Sequence, residues 1–147
     1  MLQKLLQTSN DLTLTFVRLL LGIVFFAHGA QKLLGWYGGF GFSATVGAFL
    51  KMGMPLAIAY FAIFVEFFGG LSMIFGLLSR LGGLGIAAEM CGAVCTVHFR
   101  NGFFMNWYGM QKGEGFEYHL LAIAIAVLIM IRGAGAVSLD RMIAGKI

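Results

Sequence analysis

The sequence predicts an all-α fold: a membrane-spanning four-helix bundle with both termini on the same, cytoplasmic side. Three observations carry that expectation. Of the 147 residues, 60% are hydrophobic and 11% are charged, against about 25% charged residues in soluble domains. One Pro stands against 22 Gly, which fits uninterrupted helices in close contact, because Gly is more frequent in membrane helices than in soluble ones. Four apolar stretches, at about 12–34, 56–78, 81–99 and 117–133, approach the roughly 20 residues that cross a bilayer core. A membrane β-barrel would instead alternate in segments of about ten residues, a pattern absent here. The chain 1–147 reads as a single transmembrane domain.

The elements follow in order. Asn10 or Asp11 stands where an N-cap would start the first span. That span is too long for a signal-peptide core, and His28-Gly29-Ala30-Gln31-Lys32 is a poor cleavage context, so a retained helix is expected. Met54-Pro55 marks the start of the second span, since Pro is tolerated in a first turn and not deeper. The turn around Ser79-Arg80 is very short, which makes spans two and three antiparallel neighbours. Spans three and four are slightly short, with their polar outer ends expected at the interface. Four spans put Lys4, Arg18, Arg80, Arg132, Arg141 and Lys146 on one side, and Lys32, Lys51, Arg100 and Lys112 on the other. This modest bias favours both termini in the cytoplasm, with the protein expected in the cytoplasmic (inner) membrane. Loops 35–54 and 100–116, rich in Gly and aromatic residues, are expected to fold over the outer mouth. The basic residues form no run, so the net charge of +4 points to a lipid bilayer and away from nucleic acid.

Charges inside the apolar stretches mark the candidate site. Glu66 lies in the second span and Glu89 in the third, and an intramembrane acid is a functional-site hypothesis by default. Helical periodicity puts them on seams: Arg18, Gly22, Phe25, Gly29 and Lys32 in span one; Ala59, Ala62, Glu66, Gly69, Met73, Gly76 and Arg80 in span two; Gly82, Gly85, Glu89, Gly92 and Thr96 in span three. Small residues let membrane helices approach closely, so each seam carries both packing surface and charge. At about 1.5 Å rise per residue, Glu66 and Glu89 fall near mid-depth, His28 in the outer half, and His98 and His119 near the outer interface beside Arg100 and Glu117. Carboxyls held together away from water exchange protons near neutral pH, as quinone chemistry requires.

Glu66 and Glu89 are therefore the proton-handling candidates. His28, Lys32, Glu66, His98, Glu117 and His119 are the ligand-binding candidates, and Arg18 is the charge partner within the bundle. The competing reading makes the acids structural, each neutral or paired with Arg18 or His28. The histidines are expected to hydrogen-bond a substrate or quinone ring rather than hold metal or haem. Cys91, Cys95 and His98 share a face nearly opposite Glu89, where i, i+4 geometry disfavours a disulfide. That face, and the row His119, Ala122, Ala126 and Gly133, are candidate surfaces for a homo-oligomer. No phosphate loop, dinucleotide fingerprint or Ser-His-Asp context occurs.

Three segments resemble the DoxX family of small four-helix membrane proteins. They are Arg18 to Gly22 with Phe26 to Leu33, Glu66-Phe-Phe-Gly69-Gly70 with Gly76 and Arg80, and the closing run Gly133-Ala-Gly135-Ala-Val-Ser138-Leu139-Asp140-Arg141. Arg18, Gly29, Lys32, Glu66, Gly69 and Gly70 match the family pattern. Glu89, Cys91, Cys95 and His98 lie outside the matched segments. The resemblance implies a subunit or accessory of a membrane oxidoreductase system that interacts with quinone or a small redox substrate. The chain carries no cofactor motif of its own, so a bound quinone or a partner redox protein would supply the electrons. A proton-coupled small-molecule carrier and a non-catalytic scaffold for soluble redox enzymes are the alternatives.

Overall fold

The computed structural model describes residues 2–145; Lys146, counted above among the cytoplasmic-side charges, lies outside the described residues. Every regular element among the described residues is helical. A short α1 (Leu2–Leu6) precedes α2 (Leu12–Leu34), whose first turn is capped by the Asp11 carboxylate, which accepts from the Thr13 and Leu14 N–H groups at 2.8 and 3.2 Å. Of the two capping candidates, the acid makes the cap. Next comes α3 (Phe42–Lys51), and then a rod of α4 (Leu56–Phe64), a single π-helical turn (Val65–Gly69) and α5 (Gly70–Phe75). After the turn at 76–78 the chain returns as α6 (Ser79–Thr96), extended by a 3-10 turn (His98–Asn101). Finally α7 (Glu117–Arg132) and a short α8 (Leu139–Ala144) complete the described chain.

Two helical stretches, 12–34 and 56–75, are long and apolar enough to cross a membrane. α6 and α7 have 18 and 16 residues, below the roughly 20 that a perpendicular crossing takes. Pro55 is the N-cap of α4, as its lack of an N–H allows. Segment 35–54, expected as a loop, contains α3. Phe42 packs against Tyr60 and Phe64 with ring centroids 5.3 and 5.9 Å apart, so this segment is helical because it docks on α4. Its aromatic content read as interfacial loop.

The main packing is α6 on α7, α2 on the π turn and α5, and α6 on the π turn. The core comprises Leu14, Leu21, Phe25, Met73, Ile86, Met90, Ala126 and Ile129 among others. Glycine makes the α2 contact possible. A Cβ on Gly29 would stand 2.3 Å from the Phe67 nitrogen, and one on Gly70 would stand 2.4 Å from the Phe26 nitrogen. Backbone therefore lies against backbone along the span-one seam, but in span two the residue that permits it is Gly70, while the seam residue Gly69 faces the Ile86 and Val65 side chains. The third seam holds only in part. Gly82 and Gly85 face Ser72 and Val65, and Glu89 is buried, but Gly92 meets nothing within 4 Å and Thr96 is exposed. The buried side of α6 turns instead through Gly83, Ile86, Ala87 and Met90. The row His119, Ala122, Ala126 and Gly133 is likewise buried within the chain. Gly83 packs on the Ala126 carbonyl and Gly133 on Gln7 and Thr8, so this row is consumed by contacts within the chain.

The two terminal segments meet at one end of the molecule, where Thr8 bonds to Gly135 and Arg141 bonds to Asn10. A polar knot closes this end. Arg18, 1% exposed, donates from Nε to the Ala134 carbonyl and from Nη2 to the Val137 carbonyl, each at 2.8 Å. Its Nη1 donates to Ile74 at 3.1 Å and also to Met73. Asp140 accepts from the Leu78 and Ser79 N–H groups at 2.6 and 2.9 Å, capping α6 from another segment. The closing run 133–141 is thus the clasp that ties α2, α5 and α6 together.

Candidate functional site

The π turn in the rod positions the first acid. A π turn inserts one extra residue into the helical ladder and is frequent at functional sites. Glu66 is the acid in this turn and is 8% exposed. From α2, Lys32 reaches it with an Nζ–Oε2 distance of 2.5 Å, the Lys32 side chain being 24% exposed. The close crossing at Gly29, one turn before Lys32, fixes that geometry, because Gly29 lies against Glu66 and Phe67 backbone.

Glu89 approaches from α6, 9% exposed. Its carboxyl neighbours the Glu66 carboxyl. A hydrogen bond between two carboxyl groups needs one proton between them, because an ionised carboxylate only accepts. Glu89 Oε2 is buried and accepts no hydrogen bond from a protein donor. Lys32, Glu66 and Glu89 form one polar cluster drawn from three helical segments, electrically neutral when its two carboxyls hold one proton between them.

Tyr118, at the start of α7, lies within electrostatic reach of both carboxyls and packs on the core. Sequence reasoning passed over it, because one more aromatic residue in a membrane-type helix carries no distinguishing signal. Its neighbour His119 is 5% exposed, and its Nδ1 is a further buried atom without a partner. His98, on the 3-10 turn, stacks on His119 with ring centroids 4.0 Å apart. The His98 Nδ1 lies 2.8 Å from the Glu114 carbonyl. A carbonyl only accepts, so that nitrogen carries the proton and Nε2 is left for exchange.

Other candidates sit apart. Arg18 meets neither acid; its hydrogen bonds go to carbonyls at the terminal end, and Asp140 is the carboxylate nearby. The cation of the cluster is Lys32, one end of the same α2 seam. Nor does His28 pair with an acid. It is exposed, although Lys32 and Glu66 are near enough to influence it. Glu117 turns to the loop 102–116, accepting from the Met105 N–H at 3.1 Å and from the Trp107 indole N–H at 3.3 Å. Cys91 and Cys95 are free and exposed, away from the cluster. Among the described residues no three His, Cys, Asp or Glu side chains converge as a metal-ligand set.

The sequence itself has recognisable relatives. The profile of the DoxX family matches residues 13–99, which covers Arg18, Lys32, Glu66, Glu89 and His98 and stops short of Tyr118 and His119. A Bacillus subtilis protein named "Putative oxidoreductase CatD" is 30% identical over 132 residues, covering 90% of this chain and 87% of that protein. A Mycobacterium tuberculosis protein described as an uncharacterized membrane protein is 27% identical over 152 residues, covering 97% of this chain and 88% of that one. No solved structure matches the chain.

Proposed function

The chain belongs to the DoxX family, and from that membership we propose that it is a membrane subunit or accessory of an oxidoreductase system acting on quinone or a small redox substrate. It works as a single domain of four spans, with both termini on the cytoplasmic side of the inner membrane. The oxidoreductase name of the Bacillus subtilis relative supports the reaction class. The observation that carries the reading is the cluster of Lys32, Glu66 and Glu89, two buried carboxyls beside a cation.

Quinone suits this cluster, since Glu89 Oε2 is a buried acceptor without a partner, which fits a hydroxyl of the reduced ring. A bound quinone supplies the capacity to carry two electrons and two protons. The chain supplies the rest. Lys32 neutralises the charge left on Glu66 when a proton departs, Glu89 holds or releases the proton it shares with Glu66, and the Gly29 crossing keeps the groups in register. Electrons come from a partner protein, because the chain has no cofactor motif of its own.

Glu66→Gln removes the ionised partner of Lys32 while keeping the size of the side chain. Purified protein is expected to yield extractable quinone, and quinone-linked reduction in membranes carrying Glu66→Gln is expected to drop by about 10²-fold or more, the usual weight of a positioned acid–base group. Protein free of quinone, together with unchanged activity in that variant, would sink the proposal.

A further inference from the structure

The carboxyl pair is enclosed, so a proton has to reach it by a defined way. At the terminal end the path is shut. Arg18 occupies it as a fixed cation bonded to four carbonyls, and Leu14, Leu21, Met73, Ile86 and Ile129 fill the space with apolar core. A buried guanidinium repels a passing proton, as charged side chains do in selective pores. The loop end is the alternative, and there His98 packs against the buried His119.

We infer that His98 and His119 form the proton inlet to Glu89. Buried polar atoms are rarely without a partner. Glu89 Oε2 and His119 Nδ1 are two such atoms, on helices that pack directly together. Their lack of protein partners points to transferable hydrogen bonds through water, which bridges buried polar groups that do not meet directly. His98 is half-buried and stacked on His119 at 4.0 Å. The Glu114 carbonyl holds its Nδ1–H, so the exchanging nitrogen is Nε2. A proton taken up there passes to the His119 ring and leaves inward from Nδ1 to Glu89 Oε2. Tyr118, its ring 5.5 Å from that of His119, adds a hydroxyl near both acids. Only a proton moves, from bulk water to the Glu89 carboxylate. The competing way in runs along α2, where His28 is exposed and Lys32 is partly so.

The inference rests on the proton-handling role of Glu66 and Glu89, and it is independent of the substrate. Its test needs no substrate either. Infrared spectra of the purified full-length protein in liposomes are followed after transfer to D₂O, reading the C=O stretch of protonated carboxyl. Loss of that band in Glu89→Gln assigns it; a spectrum with no band sensitive to Glu89→Gln overturns the inference. His119→Phe is expected to slow deuterium uptake at that band by about tenfold or more. Added imidazole is expected to restore the rate in His119→Gly, a rescue that a merely structural histidine would not show. If His119→Phe does not fold, His119→Gln carries the same expectation with polarity retained. A wild-type rate in His119→Phe or His119→Gln overturns the inlet, and so does slowing by His28→Gln in their place, which would put the route along α2. Histidine-dependent exchange in a protein free of quinone, with quinone-linked activity unchanged in Glu66→Gln, would count against the proposed function alone, so the two failures are distinguishable.

Discussion

At the scale of single residues, the ion pair between Lys32 and Glu66 decides the energetics of the site. Removing one partner of a buried pair costs about 3–5 kcal/mol, because the other charge is left uncompensated, whereas replacing both with apolar groups is often neutral or better. Lys32 is partly exposed, so solvent trims this toward about 2 kcal/mol for Lys32→Met. We expect Lys32→Met to lower the unfolding midpoint in detergent, and Lys32→Met with Glu66→Leu to recover most of the loss while remaining inactive. A double variant as unstable as the single one would show that the pair is not the source of the cost. Asp140 offers a second case, since it accepts two backbone N–H groups at the start of α6. Asp140→Ala leaves both unmet and is expected to cost about 1–3 kcal/mol in the same measurement. The acids were legible in the sequence because a carboxylate in an apolar run is anomalous on its face. The identity of their cation was not. Arg18 and Lys32 share one seam, and only the crossing of α2 over the π turn brings Lys32 to Glu66 and turns Arg18 to the closing run.

At the scale of elements, glycine separates contact from ornament. Periodicity put Gly29, Gly70's neighbour Gly69 and Gly92 on equivalent small-residue seams, yet their surroundings differ. A methyl at Gly29 or Gly70 would collide with backbone of the facing segment, whereas one at Gly92 would meet nothing within 4 Å. Gly29→Ala and Gly70→Ala are therefore expected to destabilise by about 1–3 kcal/mol through overpacking. Gly92→Ala, inside an exposed stretch of α6, is expected to be neutral or to stabilise by up to about 1 kcal/mol through helix propensity. Unfolding midpoints of the three variants, measured side by side, check the contrast; equal losses would mean that α2 does not cross the rod this closely. Helix existence was legible from apolar length and from Asp11 and Pro55. The π turn was not, because Val65-Glu66-Phe67-Phe68-Gly69 has no local signature and the extra residue is accommodated by contacts from α2 and α6. The same holds for α3, whose helical state is set by the ring contacts of Phe42 with α4.

At the scale of the whole molecule, the site has a direction. The inferred histidine inlet lies at the end that carries the loops, and the terminal end is sealed by the Arg18 and Asp140 knot. Orientation in the membrane therefore determines from which compartment protons are drawn. The charge argument for cytoplasmic termini has to be drawn from residues that face the interfaces. Arg18 is buried among carbonyls and Lys32 is spent on Glu66. The comparison then rests on Lys4, Arg80, Arg132 and Arg141 at the terminal end against Lys51, Arg100 and Lys112 at the loop end. Acidic residues such as Glu114 contribute little to such a count, so the direction of the bias is kept while its size narrows. Single cysteines placed at Lys4 and at Lys112, with Cys91 and Cys95 changed to Ala, test it in intact cells. A membrane-impermeant maleimide is expected to label Lys112→Cys from outside and Lys4→Cys only after the membrane is opened. The reverse pattern would point the carboxyl pair at the cytoplasm, and the histidine inlet would then draw its protons from there.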